Sequence, residues 1–211
     1  MPAARIHLVR HGEVHNPGGV LYGRLPHFRL SERGHEMAEL AAKALKDSGV
    51  KIGAIYTSPL LRTQESAAHI ETLFGIDAKT DERLIEPHNI FEGRKLSART
   101  IARHPQLAYH LRNPYSPSWG EPYVAVVSRI VEAMTELAEK TEGGDLVLMT
   151  HQLPIWITHR HTAGLKLAHN PSKRRCGLSS ITTFEITDDG LVEVGYLDPA
   201  AELTRSDKGA A

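Results

Sequence analysis

RIHLVRHG, residues 5–12, decides how the chain is read. Arg5 to Arg10 is a short, mostly apolar run that stops at an arginine, and it reads as a buried strand. Working outward, His11 to Leu30 is a long loop rich in Gly and Pro. Ser31 is placed as the N-cap of a helix, with Glu32 in its first turn. Met37, Leu40, Ala41, Ala44 and Leu45 give that helix its apolar face, and Gly49 ends it. Ile52 to Thr57 reads as a second strand. Ser58-Pro59 then reads as an N-cap followed by proline at the first helical position, opening a helix that runs to about Phe74. A short strand is expected within Asp77 to Leu84.

Periodicity fades between Glu86 and Tyr123, apart from a helical reading around residues 97–103. It returns at Val124, Val127, Ile130, Val131, Met134, Leu137 and Ala138, an amphipathic helix broken by Gly143-Gly144. Asp145 to Thr150 is a third apolar strand, followed by another helix. Ser180 to Ile186 and Leu191 to Leu197 form a closing hairpin around Asp188-Asp189-Gly190. Strands alternating with helices predict an α/β fold, a three-layer α/β/α sandwich with a mostly parallel central sheet. The expected organisation is a single domain over residues 1–199, with an insertion at about 87–123 covering the active site and a flexible tail over 200–211.

Composition narrows the class. With 211 residues, 41% of them hydrophobic, and 25 Lys+Arg against 25 Asp+Glu, the chain is neither disordered nor a general nucleic-acid binder. No stretch nears the ~20 apolar residues of a membrane span, and the N-terminus has no signal-like apolar region. The single Cys176 excludes an internal disulfide framework, so a cytoplasmic location is expected. A homo-oligomer is left open.

Ligands of parallel sheets bind beyond the carboxyl ends of strands. Three such ends carry Arg10-His11-Gly12, Ser58 to Arg62, and Thr150-His151. Two imidazoles and two guanidiniums therefore converge from distant positions. That set suits a phosphomonoester dianion: Arg10 and Arg62 offer forked donors, and His151 adds another. His11 is a candidate nucleophile. A leaving alkoxide needs a proton, for which Glu86 is the candidate acid, with Glu13 its local competitor and Glu92 a further one. Arg and His supply the charge, so no metal or other cofactor is expected. His159 and His161, two residues apart on a helix, point about 200° apart and do not form a metal pair. His7, His27, His35, His69, His104, His110 and His169 read mostly as surface groups. Lys173, Arg174 and Arg175 read as a solvated basic loop, with contact to an anionic substrate tail as the alternative. Gly12 is read as allowing the backbone turn that aims His11.

LVRHGE, LSERG, IYTSPLLRTQESA, RLIE with FEG, and LVLMTH, in that order over roughly residues 5–160, resemble the histidine phosphatase superfamily, in its phosphoglycerate-mutase-like branch. The resemblance implies an α/β fold, His11 as the phosphorylated histidine, Arg10 and Arg62 as phosphate-binding arginines, His151 as the second histidine and Glu86 as proton donor. It also places Asn16 near the phosphate, although family members commonly carry that Asn one residue later, where Pro17 stands; His15 is the substitute. PHNIFEG departs from the run that follows the acid in the mutases proper, and Gln152 follows His151 in place of an acidic residue. The implied activity is metal-independent hydrolysis of a small phosphorylated metabolite. Mutase-type transfer is the alternative, and a non-catalytic phosphate-binding module the second one. Tyr109, Tyr115, Trp119 and Tyr123 are read as a core or lid cluster in the insertion, and Glu121 as a residue that faces the pocket.

Overall fold

A computed structural model describes residues 3–95 and 120–205. The helix expected around 97–103, and Tyr109, Tyr115 and Trp119, lie outside the described residues. The elements are β1 (Arg5–Arg10), α1 (Glu32–Asp47), β2 (Ile52–Thr57), α2 (Leu61–Phe74), β3 (Lys79–Thr80), α3 (Tyr123–Lys140), β4 (Asp145–Thr150), α4 (Gln152–Thr162), β5 (Ile181–Thr187), β6 (Gly190–Leu197) and α5 (Ala201–Arg205). They form one sheet in the order β3-β2-β4-β1-β5-β6. β3, β2, β4 and β1 pair in parallel, while β5 runs antiparallel to β1 and β6 antiparallel to β5.

The strand period of two sorts the central side chains onto opposite faces. Ile6, Leu8, Leu146 and Leu148 pack with Ile130, Met134 and Leu137 of α3 and with Ile155 and Ile157 of α4. Val9, Val147 and Met149 pack with Ala41, Ala42 and Leu45 of α1 and with Ala67 and Ile70 of α2. The three-layer sandwich follows. The chain leaves β1 toward one face and β4 toward the other, so the adjacent β1 and β4 form a topological switch point, where such sheets bind ligands.

Ser31 caps α1 as the sequence predicts, its hydroxyl accepting from the Gly34 amide at 3.0 Å. The Ser58-Pro59 cap does not form. α2 starts at Leu61 with no side-chain cap, and the Ser58 hydroxyl is drawn into the site instead. In α3 the buried stripe runs through Tyr123, Val126, Val127, Ile130, Met134 and Leu137, which leaves Val124 70% exposed. Residues 201–205, read as part of a tail, form α5, and Ala200 and Leu203 pack with Met37 and Leu178. His7 and His169, read as surface groups, are buried. His7 lies on a central strand covered on both faces, and its ring nitrogens face Thr183 Oγ1 at 3.0 Å and Asp145 Oδ2 at 3.2 Å.

Gly12 has a different purpose from the expected one. A Cβ there would lie 2.2 Å from the Gly34 carbonyl oxygen, and one on Gly34 would lie 2.0 Å from the Glu13 carbonyl oxygen. The two glycines let the loop after β1 touch the first turn of α1, backbone against backbone. Gly12→Ala is therefore expected to destabilise the fold by about 1–3 kcal/mol through overpacking. A urea midpoint unchanged from the parent would show that the loop yields without cost.

Candidate active site

The register of the sheet assembles the centre. Arg10 pairs with Thr150 across β1 and β4, so His11 and His151 leave adjacent strand ends side by side. The His11 amide donates to the Thr150 carbonyl at 3.2 Å, and the ring centroids are 5.2 Å apart. Thr57 pairs with Met149, which brings Ser58 to the same edge. Arg62 projects from the first turn of α2 and is 1% exposed.

The hydrogen bonds define the imidazoles. His11 Nδ1 faces the Gly12 carbonyl oxygen at 2.7 Å. A carbonyl can only accept, so Nδ1 carries the proton and Nε2 keeps its lone pair. Arg62 Nε donates to that Nε2 at 3.3 Å. Arg62 Nη2 donates to the Gly23 carbonyl at 2.7 Å and lies 3.2 Å from His151 Nδ1. Since a guanidinium can only donate, neutral His151 accepts at Nδ1 and donates from Nε2 to Ser58 Oγ at 2.9 Å. The Tyr22 ring covers Arg62 from the pocket side, 4.8 Å from the guanidinium carbon.

Burial first, and then the nearby positive charge of Arg62, pushes the His11 imidazole well below its ordinary value of 6.5. His151 is lowered in the same way, burial leading and Arg62 next. Both rings are therefore neutral when no anion is bound. A bound dianion would reverse the local field and favour a proton on His151.

Glu86 follows the short helical turn 82–84, and its Oε2 lies 3.7 Å from His151 Nδ1. Burial raises its carboxyl above the ordinary 4.5, against the opposing pull of Arg62, Arg174, Arg10 and Arg129. The competing carboxylates are engaged by other partners. Glu13 accepts from Ser31 Oγ at 2.6 Å and pairs with Arg33 at 3.4 Å. Glu92 accepts from the Asn89 amide at 3.0 Å. Glu121 does line the pocket, but it is held by Arg129 at 2.8 Å and Arg24 at 3.2 Å.

A cavity of about 170 Å³ opens over these groups, lined by Arg10, His11, Tyr22, Arg62, Glu86, Glu121, Tyr123, Gln152 and Arg174 among others. Arg10 Nη1 donates to the Cys176 carbonyl at 2.6 Å, and its buried Nε has no partner among the described residues. The ends of the insertion rim this cavity, pinned together by a bridge between Asn89 and Gly120. Asn16 is not brought to the pocket wall. Its carboxamide closes its own turn, donating to the Val20 carbonyl at 2.8 Å and accepting from the Val20 amide at 3.2 Å. His15 is exposed. His159 faces Glu193 at 2.5 Å and stacks on Trp156, and no cluster of three or more His, Cys, Asp or Glu suited to a metal occurs among the described residues.

Sequence reasoning missed Tyr22 and the part played by Ser58, and it read Arg174 as part of a solvated basic loop, with contact to an anionic substrate tail as the alternative. Tyr22 and Arg174 lie in irregular loops that periodicity cannot place.

A neutral imidazole whose Nε2 is engaged only by Arg62, guanidiniums that can face an oxyanion and a carboxyl with a raised proton affinity are the groups that phosphoryl transfer uses, and an α/β sandwich holds them here. Residues 6–199 match the histidine phosphatase superfamily (branch 1), and the chain belongs to that superfamily. It is 44% identical over 198 residues to the uncharacterized protein Rv0525 of Mycobacterium tuberculosis, covering 93% of this chain and 97% of that one. It is 28% identical over 166 residues to phosphoserine phosphatase 1 of Hydrogenobacter thermophilus, covering 76% and 77%. The mycobacterial glucosyl-3-phosphoglycerate phosphatase Rv2419c superposes with a TM-score of 0.71 at 25% identity, covering 90% of this chain and 96% of that one. No helix among the described residues is long and apolar enough to cross a membrane.

Proposed function

We propose that the chain hydrolyses small phosphomonoesters through a phosphohistidine on His11, without a metal. The observation that carries this reading is the fixed tautomer of His11: its Nδ1–H is held by the Gly12 carbonyl, so Nε2 is the basic, nucleophilic nitrogen and faces Arg62. Phosphoryl oxygens replace the imidazole as the target of the Arg62 donors, which releases the lone pair. Arg10 and Arg62 neutralise the equatorial charge, and His151 donates to it once protonated.

Nε2 forms a bond to phosphorus as the ester P–O bond breaks. The leaving oxygen takes the proton of Glu86. Water then attacks phosphorus and gives a proton to the Glu86 carboxylate. The P–N bond breaks, and its electron pair returns to Nε2. The phosphatase relatives support hydrolysis as the outcome. Hydrolysis releases one inorganic phosphate per alcohol; an isomerised phosphoester as product would replace this reading by a mutase.

The test is a rapid quench of the protein with a ³²P-labelled phosphomonoester. A base-stable, acid-labile label that is absent from the His11→Ala protein is expected. Phosphate release with no such label on the quenched wild type, at any time before steady state, would overturn the two-step scheme.

A further inference from the structure

Resting on the phosphatase reading above, we propose that Arg174 binds a carboxylate on the leaving-group side of the substrate, so that the preferred substrates are phosphate esters of small hydroxy acids. Three guanidiniums line the pocket: Arg10, Arg62 and Arg174. Other arginines close by have carboxylate partners, Arg24 and Arg129 with Glu121, and Arg83 with Asp81 and Glu136. Among the described residues, none of the three pocket arginines has one.

Arg174 is nevertheless held in place. Its Nε donates to His169 Nε2 at 3.0 Å and its Nη1 to Gln152 Oε1 at 3.2 Å, and Tyr123 lines the cavity with it. His169 can accept at Nε2 because its Nδ1–H is given to the Leu167 carbonyl at 2.7 Å. These partners are all uncharged. They fix the direction of the fork without neutralising it. The carboxyl that acts on it is Glu86, whose charge is gone when it holds the proton it must donate. That is a costly arrangement for a half-buried cation unless a ligand supplies the counter-ion.

The place of Arg174 sets the class of that ligand. Arg10 and Arg62 face the phosphoryl group. Arg174 lines the same cavity with the proton donor Glu86 and with Tyr123 and Gln152, which puts its fork on the leaving-group side. A planar carboxylate matches that fork in charge and in shape. The small cavity favours a short carbon chain between ester oxygen and carboxylate.

The experiment compares substrate pairs that differ only at that group: phosphoglycolate with ethyl phosphate, and 3-phosphoglycerate with glycerol 3-phosphate. The readout is the ratio of kcat/KM within each pair, which does not depend on how much of a variant is folded. The wild type is expected to prefer the carboxylate in at least one pair. Arg174→Gln is expected to reduce that ratio by about 30- to 100-fold, and Arg174→Lys to retain part of it. A ratio indifferent to both substitutions would overturn the proposal. So would a wild-type preference for the member that lacks the carboxylate. If the wild type turns over none of them, the phosphatase reading fails separately. The Kd ratios of the same pairs, measured by calorimetry on wild type and Arg174→Gln, then decide the anion site alone.

Discussion

Replacing His11 by alanine is expected to lower kcat on 4-nitrophenyl phosphate by about 10⁴- to 10⁶-fold, the scale on which loss of a covalent nucleophile acts. The fold should survive. The His11 side chain bonds Arg62 and the Gly12 carbonyl, whereas the strand pairing and the apolar layers that hold β1 are made by other atoms. A melting temperature close to the parent's with activity gone would locate the loss in chemistry. Activity within about tenfold of wild type would mean that phosphorus is attacked by something other than this imidazole.

Glu86→Gln gives the second large effect, and its size should depend on the leaving group. An alkoxide cannot depart without a proton, so turnover of an alkyl phosphate is expected to fall by about 10²- to 10⁴-fold. The 4-nitrophenolate leaves as a stabilised anion, so the loss in its kcat/KM, which reports steps only up to phosphohistidine formation, should be about tenfold or less. Its kcat also carries the loss of Glu86 as the base for water. The pH profile gives an independent reading. Turnover of an alkyl phosphate needs His11 without a proton and Glu86 with one. Burial and Arg62 hold the imidazole well below 6.5, so the nucleophile stays free as the pH falls. Burial raises the carboxyl above 4.5, so the acid form persists to higher pH than in an ordinary glutamate. The optimum is therefore displaced to the acid side, with His11 setting the acid limb and Glu86 the alkaline limb. The substitution should flatten the alkaline limb and leave the acid one. Equal losses in kcat/KM on both substrates, with the alkaline limb intact, would move the proton donor to another group.

The sequence by itself determined the elements and the ends at which chemistry sits. The alternation of apolar strands with helical stripes located β1, β2, β4 and the hairpin β5–β6, because strand and helix periods are local properties of the chain. Arg10, His11, Arg62 and His151 were legible for the same reason, each standing at or just beyond a strand end. Tertiary structure alone decided the rest. The parallel register of β1 and β4 sets the two imidazoles side by side, and the Gly12 carbonyl selects the nucleophilic nitrogen. Ser58 left its expected helix cap because His151, 93 residues away in sequence, offers its side chain a partner. Asn16 turned inward on Val20, and Arg174 left the solvated loop for the pocket wall. Ser58 and Arg174 take their positions from partners distant in sequence, which no local pattern encodes, and Asn16 is held by a tight turn that strand and helix periods do not describe.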